Sequence, residues 1–297
     1  MSIFQDPYET FDLTWPDLNS TFDQVIIVFA FIFFLLGGFA NALNIPFFTR
    51  DGGLLSYSKF ATNVSFGYSI SSQLGMTILY APAFLFALLI ATDSTTREMP
   101  RVYVTSILMT IHFFKRTLEC NFLHRYSGTM PLISSITISC FYCLLAFCCI
   151  HYSQASALVH DPKVVTANNA EFEQHLDKIM STMFVGLVLF VIGQVGNLYH
   201  HYLLATLRSG DIVMTRYKVP TGGLFSNFGG AAAPHYLFEL ISWYGVVIVT
   251  KHINILLFAI GMTAYLLDRA AAQNEWNKEK LKDDYPTTRK NMIPYLL

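Results

Sequence analysis

The strongest constraint on this chain comes from its apolar runs, several of which approach the ~20 residues that a helix needs to cross a bilayer. Hydrophobic residues make up 53% of the 297 residues, whereas charged residues make up only 13%. We therefore predict an all-α polytopic membrane protein. Its spans are expected at residues 25–45, 71–91, 101–119, 132–152, 179–201, 235–250 and 252–268. A net charge of -1 gives no basis for nucleic-acid binding.

The basic residues indicate how these spans are oriented. Loops on the cytosolic side of a membrane carry an excess of Lys and Arg. With a lumenal N-terminus, fourteen of the 19 Lys and Arg fall on the cytosolic side. We predict seven transmembrane helices, with the N-terminus lumenal and the C-terminus cytosolic. Residues 1–24 would form a lumenal segment and residues 25–297 a single membrane domain, because the loops and the tail are too short to bury a separate core.

The segment from residue 196 to residue 243 carries the richest set of polar residues in the chain. On a helix Asn197, His201 and Arg208 fall near one face, because they are spaced by four and seven residues. The next predicted helix begins with three further candidates at intervals of four, namely His235, Glu239 and Trp243. These spacings predict that the two helices bring polar side chains to one site.

Between those helices, Tyr217 and Lys218 precede a Pro-Thr-Gly-Gly turn that contains Gly222 and Gly223. Cations beside a glycine turn at a membrane boundary suit a phosphorylated ligand. Their donors pair with phosphate oxygens, and glycine allows backbone N–H groups to approach closely.

Ionisable residues inside a spanning helix are costly and therefore mark candidate sites. The third predicted span ends with His112, Lys115, Arg116 and Glu119, in which Lys115 and Glu119 are four residues apart. This group either forms an ion pair at the cytosolic interface or lines a cavity. Likewise Tyr80 in the second span either anchors the interface or directs its hydroxyl into a pocket.

A metal site is the less favoured interpretation of the histidines in this region. His200, His201 and His235 lie near Glu239, but the sequence has no H-E-x-x-H or H-x-x-E-H pattern. We predict that the protein holds no metal.

Several segments, in the correct order, resemble the steroid 5α-reductase family and its 3-oxo-5-alpha-steroid 4-dehydrogenase C-terminal domain. They are residues 55–60, 79–85, 111–116, 123–128, 196–208, 217–225 and 234–239. The likeness is closest to the plant steroid-reductase-like branch, with kinship to very-long-chain enoyl-CoA reductases. It covers most of the chain beyond about residue 50 and is specific for the family rather than for one substrate.

The resemblance implies a multi-pass enzyme of the endoplasmic reticulum membrane that binds NADPH from the cytosolic side. It implies reduction of a C=C bond conjugated to a carbonyl in a lipid, such as a 3-oxo-4-ene steroid, that enters from the bilayer. The NADPH-binding part would be about residues 179–297. The implied cofactor contacts are Asn197, Arg208, Tyr217, Lys218 and Arg269. His201, where the steroid branch has an acid, and His235 are further cofactor-binding candidates from their place in the same polar segment. No G-x-G-x-x-G follows a strand pattern, so the site would not be a Rossmann domain.

Hydride addition to the β-carbon of such a substrate places negative charge on the carbonyl oxygen, so the site needs a donor there. Tyr236 is the first candidate, because it matches the tyrosine that the enoyl-CoA branch uses near the reacting carbonyl. Tyr80 is the second, and Glu239 would orient or charge the tyrosine. Phe113 and Trp243 would line the substrate.

Two departures from the family pattern leave the activity open. The family's substrate-carbonyl pair, a tyrosine and a glutamate, aligns with Phe113 and with a position near Gly75. The histidine and tyrosine that contact the cofactor in the family's tail are Gln273 and Asn277 here. Three further hypotheses therefore remain: a very-long-chain trans-2-enoyl-CoA reductase, a membrane methyltransferase that uses S-adenosylmethionine, and a non-catalytic member that keeps the fold.

Overall fold

A computed structural model describes residues 12–39, 68–126, 128–161, 169–207 and 217–296. Within those ranges the chain forms seven long helices. They are α1 (Thr21–Phe39), α2 (Ser72–Thr92), α3 (Pro100–Leu118), α4 (Leu132–His160), α5 (Asn169–Thr206), α6 (Pro234–Thr250) and α7 (Ile253–Leu281). Each predicted span overlaps one helix, and residues 40–45 of the first predicted span lie outside the described residues. The last two predicted spans are separate helices, because Lys251 ends α6 in the left-handed conformation.

Four helices of the described part are long and apolar enough to cross a membrane, by length and composition. They cover Ser72–Thr92, Leu132–His160, Leu176–Thr206 and Ile253–Asp284, and a shorter apolar helix covers Thr21–Ile32. This agrees with a mostly helical, polytopic membrane protein. Helix α6 has only 17 residues, and α3 carries Arg101, Lys115 and Arg116. The count of seven spans and the orientation of the termini therefore stay predictions.

Helices α5 and α6 lie side by side, and glycines allow their backbones to approach closely. A Cβ atom added to Gly193 would lie 2.6 Å from the carbonyl oxygen of Phe238 and closer still to the backbone nitrogen of Ser242. Gly186 and Gly245 face each other, since a Cβ on either would lie 2.6 Å from the carbonyl oxygen of the other. Small residues permit this kind of close helix packing in membranes. The contact places the polar residues of α5 directly against those of α6.

Helix α2 packs against α3 and α4 through a stripe of mostly small residues. Its buried positions recur every four residues: Gly75, Leu79, Ala83, Ala87 and Ala91. Two short antiparallel strands, β1 (Ser69–Ser71) and β2 (Thr129–Pro131), directly precede α2 and α4. The strand pair therefore holds the N-terminal ends of these two helices together.

The C-terminal tail folds back onto the loop that precedes α6. The backbone N–H of Ala232 donates to the carbonyl of Lys290 (2.8 Å), and that of Ala233 donates to the carbonyl of Asn291 (2.9 Å). These bonds fix the entry into α6, where His235, Tyr236 and Glu239 begin the helix.

A buried ion pair joins three helices at the end of the molecule opposite the tail. The Arg101 side chain at the start of α3 is 1% exposed. Its Nε and Nη2 donate to the two carboxylate oxygens of Asp161 at 2.8 and 3.1 Å, and its Nη1 donates to the Val249 carbonyl at 2.7 Å. Asp161 ends α4 and Val249 lies in the last turn of α6. The guanidinium therefore connects the ends of α3, α4 and α6.

We predict that Asp161→Asn lowers the free energy of unfolding in detergent by about 3–5 kcal/mol, because it leaves a buried guanidinium without its counter-charge. Denaturant unfolding measures this loss. Arg97→Met is the matched control, because Arg97 is exposed on the neighbouring turn. Equal stability of Asp161→Asn and the wild type would contradict the prediction.

We also predict that Gly193→Ala destabilises the protein. In an isolated helix this change is favourable by about 1 kcal/mol, whereas overpacking costs about 1–3 kcal/mol. A net loss of thermal stability would therefore report the contact between α5 and α6. Val195→Ala on the exposed side of α5 should have a small effect. An increase in stability for Gly193→Ala would mean that the two helices are further apart than this contact requires.

Candidate active site

Polar side chains from four helices form one connected group inside the helix bundle, which we call the polar network. Its members are Tyr80 from α2, His112, Lys115, Arg116 and Glu119 from α3 and its end, Gln194, Asn197 and His201 from α5, and Glu239 and Ser242 from α6. Within each helix, members recur at spacings of three or four residues, which places them on one face.

The end of α3 has an unusual geometry at this site. The helix ends at Leu118, and the next turn, Glu119–Leu123, is a single π-helical turn. Such wide turns occur often at functional sites. Here the turn keeps the Glu119 side chain 2% exposed and beside two cations of α3.

Glu119 pairs with both Lys115 and Arg116. The Glu119 carboxylate lies 3.3 Å from Lys115 Nζ and accepts a 2.6 Å hydrogen bond from Arg116 Nη1. The same guanidinium donates to Tyr80 Oη at 2.9 Å, and its Nη1 lies 3.0 Å from His201 Nδ1. Arg116 therefore links α2, α3 and α5.

Asn197 joins α5 to α3 and α6. Its amide nitrogen donates to Glu239 Oε2 at 3.0 Å and to the His235 carbonyl at 2.9 Å. Its amide oxygen accepts a short hydrogen bond from Lys115 Nζ. The second carboxylate of the network, Glu239, is thereby held close to the cations of α3.

A second amide, Gln194, extends the network into the bundle. Gln194 Nε2 lies 3.0 Å from His112 Nδ1 and 3.1 Å from Ser242 Oγ. His112 Nε2 lies 3.6 Å from Glu239 Oε1, and the His112 ring is 5.0 Å from that of Trp243.

Aromatic rings form the wall beside Tyr80. The Tyr80 ring stacks on Tyr142 of α4 with centroids 5.2 Å apart, and Phe113 lies 5.7 Å from the same Tyr142 ring.

Gly75 is tightly packed, since an added Cβ would lie 2.6 Å from Met130 Cγ. A glutamate at position 75 would require this packing to change.

Two groups next to the network stay neutral. Tyr126 Oη donates to Cys120 Sγ at 3.4 Å. Burial raises the pKa of the Cys120 thiol and that of the Tyr126 hydroxyl. Neither adds a charge beside Arg116.

The structure places several sequence-predicted site residues together. Asn197, His201, Glu239 and Tyr80 belong to the polar network. Phe113 adjoins it through the Tyr142 ring and Trp243 through the His112 ring. The His235 ring lies 5.2 Å from His201 and 4.3 Å from Tyr236.

Tyr217, a predicted cofactor residue of the segment that follows α5, contacts α7. The half-exposed Tyr217 packs edge-on against Trp276 at 4.7 Å. Arg269 lies on the same helix as Trp276, seven residues earlier and therefore on the same face. Lys218 follows Tyr217 in the chain. Arg208 lies outside the described residues.

The glycine turn and the tail have local structural contacts. His200 Nδ1 donates to the Gly196 carbonyl at 2.7 Å, and its Nε2 accepts from the Leu224 N–H at 3.1 Å. His200 thus supports the turn that contains Gly222 and Gly223. In the tail, Gln273 Nε2 donates to Asn277 Oδ1 at 2.6 Å, and Asn277 Nδ2 donates to Tyr285 Oη at 3.4 Å.

One group of side chains has the spacing of metal ligands. Glu119, His124 and His201 offer ligand atoms that all lie within 4.8 Å of one another. The Arg116 guanidinium is already in contact with two of them, at 2.6 Å from Glu119 Oε2 and 3.0 Å from His201 Nδ1. A metal ion would have to displace this cation.

Sequence analysis did not single out Gln194, Ser242 or Tyr142. Gln194 carries a usable signal, because an amide within an apolar run is costly without a partner. Ser242 and Tyr142 carry none, since both residue types are common in apolar helices for reasons of packing.

We predict that Glu119→Gln destabilises the protein by about 3–5 kcal/mol, because two mostly buried cations lose their nearest carboxylate. Denaturant unfolding in detergent is the measurement. Glu98→Gln, at an exposed position, serves as the control and should leave stability unchanged. If both variants behave alike, Glu119 does not stabilise the two cations.

Comparison with known proteins identifies the family to which the chain is similar. The family model described as 3-oxo-5-alpha-steroid 4-dehydrogenase matches residues 129–297, more than half of the chain. A steroid 5-alpha-reductase DET2 of Solanum lycopersicum is 25% identical over 277 residues, which cover 92% of this chain and 98% of that protein. A very-long-chain enoyl-CoA reductase of Dictyostelium discoideum is 29% identical over 218 residues, covering 72% of this chain and 64% of that protein.

A 3-oxo-5-alpha-steroid 4-dehydrogenase 1 of Mus musculus is 30% identical over 190 residues, which cover 63% of this chain and 66% of that enzyme. The family match includes α4 to α7 and therefore the α5 and α6 side of the polar network. This chain belongs to the 3-oxo-5-alpha-steroid 4-dehydrogenase (steroid 5α-reductase) family of oxidoreductases.

Proposed function

We propose that this protein is an NADPH-dependent reductase of the endoplasmic reticulum membrane. Its substrate would be a lipid, such as a 3-oxo-4-ene steroid, that has a C=C bond conjugated to a carbonyl and enters from the bilayer. The observation that carries the proposal is the Arg116–Tyr80 contact of 2.9 Å within a charge-balanced network. A tyrosine hydroxyl that accepts a hydrogen bond from a guanidinium is polarised, so it donates its own hydrogen more strongly. Such a donor suits a carbonyl oxygen that gains negative charge during the reaction.

The residues present fit a nicotinamide cofactor. Trp243 Nε1 and Gln194 Oε1 are buried and have no hydrogen-bond partner among the described residues. A carboxamide offers the complementary acceptor and donors. Lys218, Arg269 and Arg208 are the cations proposed to hold phosphates. NADPH, when bound, supplies the hydride that is added to the β-carbon.

The roles of the chain's own residues follow from their contacts. Tyr80 would donate to the carbonyl oxygen, with Arg116 strengthening that donor. This order reverses that of the sequence analysis: Tyr236, the first candidate there, becomes the second, and it lies at the start of α6 beside His235. Glu239 accepts a hydrogen bond from Asn197 and lies near His112. We therefore propose that Glu239 orients Asn197 and His112 as well as a tyrosine.

The reductase activity is tested by NADPH consumption of the purified protein, with a 4-ene-3-oxo steroid and a long-chain trans-2-enoyl-CoA in parallel. Turnover of the steroid supports the proposal. Turnover of the thioester alone supports an enoyl-CoA reductase of fatty-acid elongation, which the Dictyostelium discoideum relative favours.

A methyltransferase and a non-catalytic member would differ from a reductase in the cofactor that they bind. A methyltransferase would be stabilised against heat by S-adenosylmethionine and not by NADPH, because only a bound ligand shifts unfolding. Absence of binding to either cofactor would favour a non-catalytic member. Stabilisation by NADPH would exclude the methyltransferase, and reduction of an enone would exclude the non-catalytic member.

We predict that Tyr80→Phe lowers kcat by about 10²–10³-fold, the usual effect of removing one donor to a developing oxyanion. Steady-state NADPH oxidation measures the change, and stabilisation by NADPH should persist. The control is Tyr199→Phe, at an exposed position of α5. If Tyr80→Phe keeps full turnover while Tyr236→Phe loses it, Tyr236 is the donor instead.

A further inference from the structure

The hydrogen bonds around Gln194 have a direction that the chemistry of each group determines. The Phe190 carbonyl can only accept, so the Ser242 hydroxyl, at 3.4 Å, donates to it. Ser242 Oγ then accepts the hydrogen bond from Gln194 Nε2 at 3.1 Å. This fixes the amide nitrogen of Gln194 toward Ser242.

The reverse orientation of the Gln194 amide is less favourable. With the amide nitrogen toward Ser242, one buried acceptor, Gln194 Oε1, has no partner among the described residues. With nitrogen and oxygen exchanged, two buried N–H donors would lack acceptors instead. Unsatisfied buried donors are rarer and cost more than an under-used carbonyl oxygen.

The orientation of Gln194 in turn determines the tautomer of His112. The second N–H of Gln194 Nε2 can only donate, and the nitrogen lies 3.0 Å from His112 Nδ1. Nδ1 must therefore carry a lone pair, so the neutral ring holds its proton on Nε2. Direct protonation of Nδ1 would break this bond. Gln194 thus disfavours the imidazolium form.

The Nε2–H group of His112 is available to a ligand. The carboxylate oxygen beside it, Glu239 Oε1, lies at 3.6 Å, which is longer than a hydrogen bond. Within the part of the chain that the structure describes, His112 Nε2 forms no hydrogen bond. His112 also precedes Arg116 by one turn of α3 and contacts the rings of Trp243 and Phe113, at 5.0 Å each. The donor therefore lies in the region assigned to the reaction.

We propose that Gln194 is a positioning residue that fixes His112 as the neutral Nε2–H tautomer, and that this N–H is a second donor to the substrate's carbonyl oxygen. The inference rests on the proposed reductase function. His112 gives only a hydrogen bond and transfers no proton, so it stays neutral while the oxygen gains charge. A neutral imidazole is a suitable donor for such an oxygen.

The tautomer can be tested without turnover, by ¹⁵N NMR of the protein labelled at histidine, with His112→Gln used to assign the signal. We expect a protonated Nε2 and an unprotonated Nδ1 in the wild type. In Gln194→Glu the new carboxylate accepts from Nδ1, so Nδ1 should become protonated. A wild-type ring protonated on Nδ1 would overturn the inference and leave the proposed function intact.

The donor role is tested by infrared difference spectra of a ¹³C-carbonyl enone bound with NADP⁺, a complex that cannot react. The carbonyl stretch should be lowered in the wild type and move back toward the free value in His112→Phe. In turnover, His112→Phe should lose about 10²–10³-fold in kcat, and Gln194→Glu should also lose kcat.

His151→Gln, an exposed histidine of α4, is the control for both measurements. An unchanged carbonyl stretch in His112→Phe would overturn the donor role. A wild type that turns over no enone, despite the expected tautomer, would overturn the proposed function and the donor role with it.

Discussion

The pairing of Lys115 and Arg116 with Glu119 is the interaction on which the site depends. Both cations are mostly buried, with side chains 13% and 12% exposed. Charges in such surroundings persist only when they are paired. Because Glu119 supplies the opposite charge from the next turn, Arg116 can reach α2 and α5. The contacts of Tyr80 and His201 both follow from this arrangement.

The Arg101–Asp161 ion pair and the polar network both contain buried charges, but they differ in whether all their hydrogen-bonding atoms have partners. The Arg101–Asp161 pair is closed: each carboxylate oxygen and all three guanidinium nitrogens have partners. It holds helix ends together and leaves nothing for a ligand. The polar network, by contrast, retains atoms such as Gln194 Oε1 and Trp243 Nε1 that have no partner among the described residues. Unsatisfied buried groups are expected where a ligand completes the hydrogen bonding.

The residues that depart from the family pattern have defined contacts in the structure. Gln273 and Asn277 hydrogen-bond to each other, and Asn277 continues to Tyr285 in the tail. They support the tail that fixes the entry into α6. At the other departure, Phe113 is fully buried and packs against the rings of His112 and Tyr142, and the donors proposed for this chain are Tyr80 and His112. The chemistry of this chain would thus use donors on α2 and α3.

Apolar runs and ordered motifs are local properties, so they predicted the helical class, the approximate helix positions and the family. Helical spacing also predicted that Asn197, His201, His235 and Glu239 share a site. Which of these side chains are in contact depends on how the helices pack. Tyr217 lies on Trp276 rather than in the polar network, and Gln194 joins His112 to Ser242. The Gln194–Ser242 contact depends on the close approach of α5 and α6 at Gly193, and the position of Glu119 depends on the π turn after α3. Neither contact distance nor the direction of a hydrogen bond is encoded in the spacing of residues along one helix.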